Sequence, residues 1–162
     1  MKLSKLSRAV VAASLLATGA AAHAEITTSG SVAFTSDYKY RGITQTDSAP
    51  AIQGALTLSH DSGFYFSVWG SSVDTAISSG ELELDPSIGY TFSSGDVTYD
   101  IGVLQYGYPE DTKKNFTEVY GSVAYAGAKL GVAYSPDFYA ETGKSLYTYV
   151  SYGTEVAGFG VS

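Results

Sequence analysis

No cysteine occurs in this chain, and its 162 residues include only one methionine, one tryptophan, two histidines and four prolines. Without a thiol there is neither a disulfide framework nor thiolate chemistry, so the fold is held by other means. Two histidines and no cysteine leave no cluster of the usual zinc ligands. Bases are scarce too: 9 Lys+Arg stand against 16 Asp+Glu, and three of the bases (Lys2, Lys5, Arg8) crowd the N-terminus. The rest of the chain therefore carries 6 − 16 = −10. A surface of that sign repels a phosphate backbone, which excludes nucleic acid as a partner. No apolar run approaches the roughly 20 residues that a spanning helix needs.

What is present begins with a targeting pattern. After the three bases, Ala9 to Ala17 is apolar apart from Ser14, and Ala22-His23-Ala24 offers a small-x-small cleavage site. These features predict a signal peptide over 1–24, cut between Ala24 and Glu25, then one domain over 25–162. The apolar core is too short to anchor, so the chain is expected to leave the cytoplasm. Beyond the leader lie all 14 tyrosines and 18 − 1 = 17 of the glycines, Gly19 being the exception. That balance is unlike a soluble α/β enzyme, though the length would suit a soluble β-sandwich.

Periodicity decides the element type. Over Ser31 to Arg41, Val32, Phe34, Ser36, Tyr38 and Tyr40 alternate with Ser31, Ala33, Thr35, Asp37, Lys39 and Arg41. A period of two belongs to a β-strand with one oily and one wet face. Past the polar connector Gly42 to Pro50, Ile52, Leu56 and Leu58 alternate with Gln53, Thr57 and Ser59. Further strands are predicted over Phe64–Ser71, Glu81–Phe92, Val97–Tyr108, Glu118–Tyr125, Lys129–Phe138 and Leu146–Tyr152. Tyr65 and Trp69 blur the polarity of the first of these. Pro86 cannot donate to a ladder, so a bulge, a local break or an edge position is expected there.

The connectors keep a rhythm. Gly42–Pro50, Ser72–Gly80, Pro109–Asn115 and Tyr139–Lys144 are long, whereas His60–Gly63, Ser93–Asp96, Ala126–Ala128 and Glu155–Gly158 are short. Outer-membrane barrels have tight periplasmic turns and longer outside loops, and a periplasmic N-terminus makes the first loop a long one. A sandwich has no reason to alternate in this way. The expected fold is all-β: an antiparallel up-and-down transmembrane β-barrel, about eight full strands plus the start of a ninth in Phe159–Ser162. Strands of about 10 residues at roughly 3.3 Å each, tilted about 45°, cover an apolar band of roughly 25 Å.

In such a barrel the apolar face meets lipid and the polar face lines the interior. Tyr38, Tyr40, Tyr90 and Tyr134 become candidates for an aromatic girdle at the headgroups. Asp37, Lys39, Arg41, Glu81, Glu83, Asp85, Asp100, Glu118, Lys129 and Asp137 become candidates for the lumen. Seven acids against three bases in that set predict a weak preference for cations. No enzyme activity, cofactor or metal is expected. His60-Asp61-Ser62-Gly63 sits on a tight turn and cannot converge into a Ser–His–Asp relay, and no G-x-S-x-G elbow occurs. Glu110-Asp111 lacks EF-hand spacing.

The stretch Thr35 to Gly54, TSDYKYRGITQTDSAPAIQG, resembles the opening motif of the TorF-type porins, the Gcw_chp family, whose pattern is close to TSDYxxRGxSQTxxxPAxQG. Leu82–Tyr90 with Tyr99–Val103, then Asn115–Tyr125, then Lys129–Tyr139 around Tyr134-Ser135-Pro136-Asp137, are also similar. The resemblance covers essentially all of the chain after the leader. Thr44 stands where serine is usual, Pro86 interrupts a strand, and family members continue for several more strands. The resemblance implies a barrel and a pore in the outer membrane, with lipid as partner, and no defined site or cargo. The expected function is passive diffusion of small solutes or ions; a non-conducting barrel that binds or scaffolds through its loops is the alternative, and a secreted β-sandwich binding domain a lower one. Bacterial barrels have even strand numbers, so a ninth strand begun at Phe159 predicts a fragment of a barrel of roughly 12 strands. The rival is an eight-stranded barrel with a tail, whose interior side chains would fill.

Overall fold

The computed structural model describes residues 12–13, 26–156 and 159–161. The expected cleavage pair Ala24 and Glu25 lies outside the described residues. Eight antiparallel strands follow one another in sequence order: β1 (Ile26–Thr35), β2 (Ala51–His60), β3 (Phe64–Ser72), β4 (Leu82–Ser94), β5 (Val97–Tyr106), β6 (Phe116–Tyr125), β7 (Ala128–Ser135) and β8 (Ser145–Tyr152). Each pairs with its chain neighbours in an up-and-down order, and a two-residue piece, Ala12–Ala13, lies along the other edge of β1. Among the described residues no ladder joins β1 to β8, so closure is not found. Among the described residues there is no α-helix, only two short 3-10 turns at Thr112–Lys114 and Tyr139–Glu141. The expected ninth strand does form, at Phe159–Val161, but it pairs back on Thr154–Val156 outside the main sheet.

Seven of the eight connectors fall where the rhythm placed them; of the eighth, Glu155–Gly158, Glu155 and Val156 lie in the strand Thr154–Val156 and 157–158 lie outside the described residues. Segments 61–63, 95–96 and 126–127 are tight, and 36–50, 73–81, 107–115 and 136–144 form long loops at the opposite end. Ala126 and Gly127 both have positive φ, 49° and 83°, the mirror-image turn that matches strand twist. Gly63 also sits at positive φ (101°), and a β-carbon there would strike the carbonyl oxygen of Thr91. Only glycine fits.

The two faces of the sheet invert the arrangement of a soluble protein. Apolar side chains such as Phe34 (65% exposed), Leu130 (63%) and Val150 (78%) stand in the open. On the other side Glu83 and Glu118 are buried, at 1% and 2% exposure, with Asp85, Ser71, Ser122 and Ser135. The apolar side of every strand is greasy over part or all of its length, from Ile26 and Val32 on β1 to Leu146 and Tyr152 on β8.

Several strand ends differ from the periodic reading. β1 stops at Thr35, because Asp37 draws the backbone into a turn. Thr44 Oγ1 donates to Asp37 Oδ1 at 2.6 Å, Thr35 Oγ1 donates to the Asp37 carbonyl at 3.1 Å, and the Tyr38 N–H donates to Thr46 Oγ1 at 3.2 Å. Such local side-chain bonds compete with a ladder. Lys39–Tyr40 then pairs with Ile43–Thr44 in a small ladder of its own. β4 begins at Leu82, and Glu81 precedes it at φ 53° in a turn closed by its N–H on the Ser78 carbonyl (2.9 Å). β7 ends at Ser135, since Pro136 has no N–H and Ser135 Oγ donates to the Asp137 carbonyl at 2.9 Å. Pro86 produces the local break, on one side only. It pairs with Val68 of β3, while the ladder to β5 runs from Ser87↔Leu104 and reappears only as the bridge Leu84↔Gly107.

Candidate functional site

The polar face is tiled by tyrosines laid over glycines. Tyr65 of β3 lies across Gly89 of β4, Tyr120 of β6 lies across Gly102 of β5, and Tyr149 of β8 lies across Gly131 of β7. A β-carbon at any of these glycines would meet the ring resting on it. That explains glycine in the middle of strands, where it otherwise weakens them. The Tyr65 and Tyr120 hydroxyls touch, and Asp100 Oδ1 accepts from Tyr65 (2.8 Å) and Thr91 (3.3 Å). Side chains thus bridge the polar face between β3 and β6.

Nearer the long loops, Glu83 and Asp85 lie opposite Ser71 and Trp69 across the β3–β4 ladder. Tyr108 donates to Glu83 Oε1 at 3.0 Å, the Gly107 N–H donates to Asp85 Oδ1 at 3.3 Å, and Glu83 Oε2 is buried with no hydrogen-bond partner. Tyr38, from the first loop, meets Trp69 edge-on at 5.3 Å between centroids. Burial, and then the neighbouring carboxylates of Glu83 and Asp85, push the Tyr38 hydroxyl well above its ordinary value.

Arg41 gathers a second cluster on the polar side. Its Nη2 donates to both carboxylate oxygens of Glu118, at 2.8 and 2.7 Å, and Tyr106 donates to the same carboxylate at 3.2 Å. The guanidinium carbon lies 4.0 Å from the ring centre of Tyr147 and 4.7 Å from that of Tyr40. Burial pushes the Tyr40 hydroxyl up to about 12. Tyr147 belongs to β8, six strand spacings from β2, or roughly 29 Å on a flat sheet. A loop rooted at one edge touches the strand at the other edge only if the sheet is curled around its polar face. Two cavities of about 380 and 340 Å³ flank Arg41, and both are lined by Tyr40, Arg41 and Tyr147.

The expected site residues divide cleanly. Glu83, Asp85, Asp100, Glu118 and Lys129 lie on strands and face the polar side. Asp37, Lys39 and Arg41 are loop residues, Lys39 pairing locally with Asp37 at 3.3 Å while Arg41 reaches inward. Glu81 and Asp137 are exposed outside the strands. Of the four tyrosines expected at the headgroups, Tyr38 and Tyr40 lie instead on the polar side, packed on Trp69 and Tyr106. Tyr90 and Tyr134 are on the apolar face, at opposite ends of it. Periodicity missed a chain of apolar-face rings at the short-turn end: Phe64–Tyr90, Tyr90–Phe92 and Phe92–Tyr99, with centroids 4.8 to 5.8 Å apart. Outward parity close to a tight turn was the available signal. His60 Nδ1 contacts Ser62 Oγ at 2.7 Å within its own turn, and no group of three or more metal-ligating side chains occurs among the described residues.

A family model described as bacterial protein of unknown function matches residues 19–162. The chain belongs to the Gcw_chp family. The matched span takes in all eight strands, so the polar face and the loops over it lie within the Gcw_chp unit. Neither the curated proteins nor the solved structures contain a match to this Gcw_chp chain.

Proposed function

We propose that this chain is exported, becomes part of an outer-membrane β-barrel, and gives small solutes or ions a passive path with a mild preference for cations. One observation carries the reading: greasy side chains are exposed on one side of all eight strands while carboxylates are buried on the other. In water such a surface far exceeds the few hundred Å² that a monomer exposes. In lipid it is the expected one. The alternation of tight turns with long loops and the curl that brings Arg41 to Tyr147 support it. Hydrocarbon does not tolerate an unpaired ladder, so the β1 and β8 edges must be sealed, by each other or by further strands. Glu83, Asp85 and Asp100 outnumber Lys129 on the strand walls once Glu118 is matched to Arg41, which favours cations.

The Tyr65–Tyr120 bridge and the inward reach of loop 36–50 favour a second reading, a barrel too full to conduct that works through its loops. Planar-bilayer recording decides between them. Discrete conductance steps with a reversal potential on the cation side of a salt gradient support the channel; a folded, inserted protein that never conducts supports the second reading. A protein that folds in buffer without lipid or detergent removes both and leaves a secreted β-domain.

A further inference from the structure

We infer that Glu83 and Asp85 of β4, near the long loops, form a site for one divalent cation of calcium size. The inference goes beyond the barrel reading and does not need a conducting pore. Both residues are nearly closed off, at 1% and 5% exposure, and alternate residues of one strand share a face. Two carboxylates are thus buried side by side. Among the described residues no base lies within salt-bridge distance of either; Lys39 pairs instead with Asp37, Arg41 with Glu118 and Lys114 with Asp111. Hydrogen bonds do not make up the difference. Glu83 Oε1 accepts from Tyr108 at 3.0 Å and Asp85 Oδ1 from the Gly107 N–H at 3.3 Å, but Glu83 Oε2 is buried with no partner. Ser71 stands opposite Glu83 across the ladder, yet its hydroxyl donates to the Ser72 carbonyl at 2.9 Å. A buried carboxylate oxygen with neither a donor nor a counter-charge is costly, and a bound cation removes that cost.

The donor set selects the ion. Every candidate ligand is an oxygen: the two carboxylates, the lone pairs of Ser71 Oγ, and the hydroxyl of Tyr38, which packs edge-on to Trp69 within electrostatic reach of both acids. Hard oxygen donors without nitrogen or sulfur suit calcium or magnesium, not zinc or copper. A double positive charge matches the two carboxylates, whereas sodium or potassium leaves one uncompensated. Magnesium keeps several of its waters, and residues this buried leave little room for them. The carboxylate oxygens and the two hydroxyls together reach the lower end of the roughly six to eight ligands that calcium takes. Seated there, the ion ties β4 to β3 through Ser71 and to the first loop through Tyr38. It also cancels two of the wall carboxylates that favour cations, so the preference proposed above belongs to the calcium-free wall.

The test uses terbium(III), a luminescent stand-in for calcium, on the folded full chain in detergent micelles. Trp69 is the only tryptophan and stands opposite Asp85 across the β3–β4 ladder, so exciting it sensitises an ion bound there. Saturable emission at one terbium per chain is expected, displaced by calcium with a dissociation constant of about 10⁻⁵ to 10⁻³ M. Magnesium should displace it about tenfold less well, and potassium at matched ionic strength not at all. Glu83→Gln and Asp85→Asn should each weaken terbium about tenfold or more, whereas Asp111→Asn, at a loop acid paired with Lys114, should change nothing. Absence of saturable emission, displacement by potassium, or unchanged affinity in a folded Glu83→Gln protein overturns the site, and a shared proton then accounts for the two acids. If neither variant folds, as judged by circular dichroism, the wild-type displacement series decides: equal potency of calcium and magnesium overturns it. Bilayer recording reads the barrel proposal separately, since a conducting protein that binds no terbium loses only this site.

Discussion

Replacing Ile101 by arginine puts the orientation of the sheet to its strongest test. Ile101 stands on the apolar face of β5 at 55% exposure, with Tyr90 and Gly121 as cross-strand neighbours. It lies 101 − 97 = 4 residues from one end of β5 and 106 − 101 = 5 from the other. At roughly 3.3 Å per residue and about 45° of tilt, that is about 9–12 Å from either boundary, close to the middle of a band roughly 25 Å thick. An arginine facing lipid at such depth costs about 2–4 kcal/mol, or about 30- to 900-fold in the ratio of folded to unfolded protein. Thr117, on the same face but one residue from the start of β6, should tolerate arginine at about 0–1 kcal/mol. In a soluble sheet both positions would be ordinary surface sites within about 0.5 kcal/mol of wild type. Urea titration of the protein in phospholipid vesicles, followed by tryptophan emission, reads the difference directly. Two arginine variants within about 0.5 kcal/mol of each other would refute the lipid-facing assignment of the apolar face.

Three further outcomes follow from the polar side. Glu118→Ala leaves Arg41 buried without its partner and should cost about 3–5 kcal/mol in the same urea titration, whereas replacing both by Met and Leu should be close to neutral. Gly102→Val drives a β-carbon into the Tyr120 ring and to 2.7 Å from the Ile88 carbonyl oxygen, so a loss of about 1–3 kcal/mol and a displaced Tyr120 are expected, the latter visible as a changed tyrosine ring signal by NMR. In the loops, the hydroxyl of Thr44 holds the Asp37 carboxyl below its ordinary 3.8, the Lys114 ammonium does the same for Asp111, and Asp111 in turn raises Lys114 above 10.5. The unfolded carboxyls bind protons more readily than the folded ones, so this support is complete above about pH 4 and fades as pH falls through the depressed values. The Lys114 contribution is complete below 10.5 and fades above it. Hydrogen-exchange protection of 36–50 and 107–115 should therefore be flat between these limits, with 107–115 alone loosening at high pH.

A good deal of this architecture was readable from the residues in order. Alternation marked the eight strands because one face of each is greasy over part or all of its length, and parity put Glu83, Asp85, Asp100 and Glu118 on the opposite face. Connector lengths gave the order of tight turns and long loops, and Pro86 announced the gap in the β4–β5 ladder. The ends of strands were harder. Asp37 to Arg41 continues the period of two without a fault, yet bonds from Thr44 and Thr46 eight or so residues along the chain turn it into a loop.

What the sequence alone determined, then, is the set of strands, their faces and their order, since these depend on nearest neighbours and a period of two. Only the tertiary structure decided that Arg41 meets Glu118 and Tyr147, that Tyr65 reaches Tyr120 over two glycines, and that Tyr38 and Tyr40 point inward. Those contacts join residues dozens of positions apart across a curled sheet, and no local pattern records how far a sheet curls or which way a long loop falls.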